Sequence, residues 1–208
     1  MYDLTPHQPK PAPWNKGKLV GQKPPLKPQH IWGIRIHLQM DDNKRDLALF
    51  NLAIDSKLRG CDLVSMKVSD ISQSGSIQRR PQIIQQKTQR AVKFEITEAT
   101  RDSLTAWIDC AGLKAWDYLF PSRIEKSLHL STRQYAWVVK GWVTSVGLDP
   151  AIYGTHTLRR TKVSITYKRT KNLRAVQLLL GHTALESTVR YLGIEVDDAL
   201  ELSEKKEV

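Results

Sequence analysis

Apolar side chains recur every three or four residues in one segment after another of this chain, and a glycine stands close behind most of those segments. A 3.6-residue repeat places such side chains on one face of a helix, and glycine takes up the left-handed backbone that ends a helix at little cost. Leu47, Phe50, Ile54 and Leu58 share a face from Asp46 onward, with Gly60 as the expected stop and Arg59 at the helix end. Leu104, Trp107, Ile108 and Ala111 form a second stripe behind a Thr97 cap, closed by Gly112. Tyr135, Val138, Val139, Trp142 and Val146 form a third, opened by Ser131 and Gln134 at capping-box spacing and closed by Gly147. The segment THTLRRTKVSITYKRT predicts a basic helix, and NLRAVQLLLGH another that stops at Gly181. Thr183 and Glu186 then form a capping-box pair that starts a helix reaching Tyr191.

Between the first two stripes the pattern changes. PQIIQQ and RAVKFEIT are rich in β-branched residues and flank Lys87-Thr88-Gln89, which predicts a hairpin with Lys87 at its turn. Gln89 falls where a turn glycine is more comfortable, and Lys93 lies in the same hairpin. The expected fold class is therefore mostly α with a small antiparallel β-sheet, an α+β arrangement.

The first thirty residues are different again. Seven prolines up to Pro28, with five lysines among them, remove backbone donors and offer little apolar surface to repay ordering. Residues 1–30 are expected to be a disordered basic arm, either a solubilising tail or a loose phosphate contact. Residues 31–208 are expected to form the folded domain, including an acidic, amphipathic C-terminal tail.

Charge narrows the partners. Lys and Arg outnumber Asp and Glu by 32 to 21, a formal +11, which favours a polyanion: nucleic acid first, an anionic membrane surface second. The start lacks the apolar run of a signal peptide, and no run of eighteen apolar residues occurs, so a cytoplasmic, nucleoid-associated protein with no membrane partner is expected. Cys61 and Cys110 have no paired spacing and are expected to be buried and inert. Carboxylates and zinc-type ligands do not cluster, so no metal and no cofactor are expected.

The stretch THTLRRTK puts His156 and Arg159 three positions apart on one helical face and carries no acidic residue. Taken singly, His156, Arg159, His182 and Tyr191 each suit an ordinary structural role. Their order carries more. HTLRR, then LLGH with His182 twenty-three positions after Arg159, then Tyr191 nine positions on, resembles the tyrosine recombinase or phage integrase family. LRGCDLVSMKVSDI is similar to that family's first arginine segment, with Arg59 followed by Asp62, and IIQQKTQRAVKFEIT to its lysine-bearing hairpin.

The resemblance implies the tyrosine recombinase catalytic-domain fold and six catalytic residues: Arg59, Lys87, His156, Arg159, His182 and Tyr191. Guanidinium forks suit a phosphate that accumulates negative charge, so Arg59 and Arg159 act as clamps and His182 adds a donor. Tyr191 is the nucleophile, since a phenol forms a phosphate ester and later leaves it; Tyr167 on the basic helix is its rival. The family match places His156 as base and Lys87 as the acid that protonates the departing sugar oxygen. The implied activity is site-specific DNA recombination through a 3′-phosphotyrosyl intermediate, without ATP. The implied partners are double-stranded DNA, a homo-tetramer on DNA whose C-terminal tails pack on a neighbour or on their own domain, and accessory DNA-bending proteins. The separate helical DNA-binding domain typical of the family is expected to be missing. Three alternatives stay open: a catalytically silent DNA-binding regulator, a generic basic RNA-binding protein, and a type IB topoisomerase.

Overall fold

The computed structural model describes residues 22–124 and 127–192. Among the described residues there are eight α-helices: α1 (Pro28–Met40), α2 (Lys44–Ser56), α3 (Gly60–Val64), α4 (Glu98–Ala111), α5 (Thr132–Ser145), α6 (Thr155–Thr170), α7 (Leu173–Leu180) and α8 (Leu185–Leu192). Instead of one small sheet there are two antiparallel ribbons, β1 (Ser72–Gln73) with β2 (Ser76–Ile77), and β3 (Gln82–Ile84) with β4 (Ala91–Lys93). The first ribbon turns through Ser74 and Gly75, both at positive φ. The second pairs Gln82 with Lys93, Ile83 with Val92 and Ile84 with Ala91, so Lys87 does sit in its turn. Gln89 has φ +51°, the left-handed backbone that glycine would adopt more cheaply.

α2 is the central helix. Its expected single apolar face is an understatement, because every residue from Ala48 to Ser56 is buried. Polar members of that run are tolerated because they are paired. Asn51 accepts from Arg35 at 2.8 Å and donates to Ser103 at 3.2 Å. Asp55 accepts from the Thr97 N–H and from the Thr97 and Thr100 hydroxyls with one oxygen, and from Lys162 at 2.6 Å with the other. That carboxylate ties α2 to α4 and α6. Phe50 and Trp142 meet edge to face at 5.3 Å, which joins α5 to the same core.

Several local expectations are corrected. α2 stops not at Gly60 but at Lys57, which takes the left-handed position at φ 57°. Gly60 instead opens α3, where its bare Cα lies against the Tyr135 ring. α1 begins at Pro28, inside the stretch expected to form no helix, because proline in the first helical turn lacks only a donor that would be unpaired anyway. Leu26 is buried and its N–H donates to Thr161, so the end of the expected arm packs on α6. Thr97 precedes α4 but gives its hydroxyl to Asp55 instead of capping the helix. α8 starts at Leu185, two residues beyond Thr183. Cys61 is half-buried and Cys110 is exposed, so neither is a core residue. The arm through residue 21 and the acidic tail lie outside the described residues. Among the described residues no helix is long and apolar enough to cross a membrane.

Candidate active site

Four separate pieces of chain bring the expected residues to one place. Arg59 stands at the N-cap of α3 in extended conformation, after the left-handed Lys57 has turned the chain. Its Nη1 donates to the Gln85 side chain at the foot of the β3–β4 turn. Lys87 is exposed on that turn, and Asp62 holds the turn by accepting the Gln86 N–H at 2.8 Å. Lys93 lies on β4 opposite Gln82, at the end of the ribbon away from the turn.

α6 supplies His156 and Arg159 one turn apart. His156 is exposed, whereas Arg159 is 3% exposed. Arg159 Nη2 donates at 2.9 Å to the carbonyl of Leu180, the last residue of α7, where the helix dipole favours a cation. Gly181, at φ +66°, ends α7 and delivers His182. The His182 ring meets Tyr191 edge to face at 5.4 Å, and its Nδ1 lies 3.2 Å from the Thr188 hydroxyl. Tyr191, near the end of α8, packs with Tyr167 and Leu192 on a small cluster of Val163, Val176 and Leu180. The Arg159 guanidinium lies 5.9 Å from the Tyr191 ring centroid. The rival Tyr167 carries Lys171 over its ring, two helical turns beyond Arg159.

The charges concentrate one sign. Burial pushes the Tyr191 phenol up to about 12, although Arg159, Arg160 and Arg59 all pull it the other way. Burial, then Arg159 and Arg59, push His182 down to about 4. Partial burial and the cations of Arg159, Arg59, Arg160 and Lys87 hold His156 below its ordinary value. The positive charges of Arg59 and Lys87 therefore act on the same histidine as that of Arg159. Three buried polar atoms around the phenol have no hydrogen-bond partner of ordinary geometry among the described residues, Arg159 Nη1, Arg160 Nε and Tyr191 Oη, and Asp62 Oδ2 below the β3–β4 turn is a fourth. Such groups are costly unless something accepts from them or donates to them. An oxyanion meets the need of both kinds of donor by accepting from each, from the guanidinium N–H and from the phenol O–H. Among the described residues no cluster of His, Cys, Asp or Glu is arranged to hold a metal ion.

Two side chains at the site escaped sequence reasoning. Arg160 is 7% exposed, stands 5.3 Å over the Tyr191 ring and donates at 2.8 Å to the Lys23 carbonyl. The doubled arginine in HTLRR was its visible signal. Gln85, 1% exposed beneath Arg59, had none, because a glutamine beside a predicted turn reads as surface. A cavity of about 420 Å³ lined by Lys23, His156, Arg160, His182, Arg190 and Tyr191 opens beside these residues. On the other side of His182 a second cavity of about 420 Å³ is lined by Arg59, Thr88, Arg90 and Thr183.

Residues 35–196, which hold all six expected site residues, match the family model described as the phage integrase family. The chain belongs to the phage integrase family. It is 30% identical over 158 residues to the probable integrase/recombinase YoeC of Bacillus subtilis (strain 168), covering 76% of this chain and 82% of that protein. It is 30% identical over 149 residues to the tyrosine recombinase XerD of Rhizobium meliloti (strain 1021), covering 71% of this chain and 46% of XerD. This family member thus spans about half the length of its XerD relative. Its fold matches the crystal structure of XerA recombinase with a TM-score of 0.71 at 17% identity, over 96% of this chain and 67% of that one. It also matches the XerH site-specific recombinase bound to difH substrate in a pre-cleavage complex, with a TM-score of 0.68 at 17% identity over 88% and 55% of the two chains. The mostly helical catalytic-domain fold expected from the sequence is the fold this chain has.

Proposed function

We propose that this phage integrase family member is a site-specific DNA recombinase that cuts and rejoins double-stranded DNA through a 3′-phosphotyrosyl intermediate. The observation that carries the reading is that Arg159 Nη1, Arg160 Nε and Tyr191 Oη lie buried in one cluster of cations with no hydrogen-bond partner of ordinary geometry among the described residues. A single DNA phosphate placed there accepts from Arg159, Arg59 and His182 and stands in line with the phenol. The Tyr191 oxygen attacks phosphorus, His156 takes the phenolic proton, and the bond from phosphorus to the 5′-oxygen breaks. Lys87 on its exposed turn gives that oxygen a proton, leaving a free 5′-hydroxyl. In the second step a 5′-hydroxyl from the partner duplex gives its proton to Lys87 and attacks phosphorus, and Tyr191 leaves as His156 returns the phenolic proton. One phosphodiester has replaced another, so the bond energy is conserved and no nucleotide is consumed. Four copies acting on two duplexes, with accessory DNA-bending proteins, complete the exchange on this reading.

The test is covalent capture. A duplex carrying the site that the protein selects from a random pool is nicked beside the cleavage position, so that the short leaving strand diffuses away. The expected product is a detergent-resistant adduct that is absent with Tyr191→Phe. Tight binding to the selected site without any adduct would instead make the chain a silent DNA-binding regulator.

A further inference from the structure

The Gln85 side chain lies where three of the four pieces of the site meet. Its Oε1 accepts from Arg59 Nη1 at the start of α3 and from the Thr88 hydroxyl at 2.9 Å, in the turn that carries Lys87. Its main chain closes that turn, since its N–H donates to the Arg90 carbonyl at 2.9 Å and its carbonyl accepts from the Gln89 N–H at 2.8 Å. Gly181, the residue before His182, lies beside it, where an added Cβ would be in ordinary contact at 3.8 Å from Oε1. We infer that Gln85 is a positioning residue that holds Arg59 and the Lys87 turn in a single register through an acceptor that carries no charge.

The choice of an amide has a chemical reason, which rests on the proposed phosphate chemistry. A carboxylate at this place would grip Arg59 more firmly, yet it would offset the positive charge that has to stabilise the phosphate. An apolar side chain of the same size would leave Arg59 Nη1 and the Thr88 hydroxyl without an acceptor. The amide oxygen orients both donors and leaves the guanidinium charge intact. Gln85 touches no reacting atom, so its effect passes through Arg59 and Lys87.

Single-turnover cleavage of the nicked duplex by the natural chain, Q85L, Q85E and K87A tests this, each on a 5′-oxygen and a 5′-sulfur leaving group. A thiolate is a far weaker base than an alkoxide and leaves without a general acid. Q85L is expected to slow cleavage of the oxygen substrate on the order of 10²-fold, the scale of a misplaced catalytic group, and to recover in part on the sulfur substrate as K87A does. Q85E is expected to fold and bind DNA but to stay slow on both substrates, because Arg59 has lost its net charge. Q85L cleaving at the natural rate, Q85L gaining nothing from sulfur, or Q85E matching the natural chain would each overturn the inference. Should Q85L fail to fold, the Q85E comparison still decides. If the natural chain forms no adduct, the fault lies with the proposed activity, and amide hydrogen exchange then tests Gln85 alone. The 86–90 turn must exchange faster in Q85L while α2 keeps its protection; unchanged exchange in the turn would overturn the inference.

Discussion

Tyr191 is drawn in two directions by its surroundings. Burial pushes the phenol up to about 12, and the arginines at 5.3 and 5.9 Å from its ring only partly oppose this. At neutral pH the phenol keeps its proton, so the proposed attack on phosphorus needs a base. His156 suits that task because its pKa lies below the ordinary 6.5, which leaves the imidazole neutral and able to accept at pH 7. The sign follows directly: the rate is lost when His156 gains a proton, which happens only below its lowered pKa. Single-turnover cleavage is expected to show an acid limb below pH 6.5 that disappears in His156→Gln, and a limb above 6.5 would contradict this assignment. In the proposed mechanism Arg159 has the opposite task of supplying fixed charge. Arg159→Ala is expected to cut cleavage by about 10²–10³-fold, or ~2.7–4 kcal/mol of transition-state stabilisation. Arg159→Lys should recover little of it, since the fork that reaches both the Leu180 carbonyl and the phosphate is lost.

At the scale of elements, Asp55 and Gly181 hold the pieces in place. Burial alone would raise the Asp55 carboxyl, but the hydrogen bonds from Lys162, Thr100 and Thr97 outweigh it and keep it below the ordinary 3.8. A carboxylate lowered in this way stabilises the fold above the unfolded-state value of about 3.8, and that contribution is lost as pH falls through its folded pKa. Asp55→Ala leaves Lys162 without its partner and is expected to cost ~3–5 kcal/mol in urea unfolding at pH 7, whereas a cost under ~1 kcal/mol would show that the knot is incidental. Gly181→Ala should cost about 1–3 kcal/mol by the same measurement, because its φ is +66° and an added Cβ would meet Val92 Cγ2 at 2.9 Å. The helical stripes, the Ser131–Gln134 capping box and the left-handed glycines at 112, 147 and 181 were legible because period and stop are local properties of the chain. The six proposed site residues could be picked out because their spacing survives in the sequence. Asp55, Gln85 and the packing of Leu26 were not, since each depends on partners far away along the chain. The end of α2 was misplaced for a related reason, because Lys57 adopts a glycine-like backbone that its own side chain does not advertise.

At the scale of the whole molecule, the formal +11 and the cationic site call for a polyanion. Affinity for duplex DNA is expected to fall steeply and linearly in a plot of log K against log salt, as counterions are released from the neutralised phosphates. A flat dependence would contradict a phosphate-dominated grip. The fold gathers its cations from the start of α3, the β3–β4 turn and the first turn of α6, so a duplex bound there meets positive charge from three elements at once. The most direct measurement identifies the atom that carries the DNA. Nuclease digestion of the covalent adduct followed by peptide mass mapping should place a single 3′-phosphonucleotide on Tyr191. Finding it on Tyr167, or on any residue outside the Arg159–His182 cluster, would contradict the account.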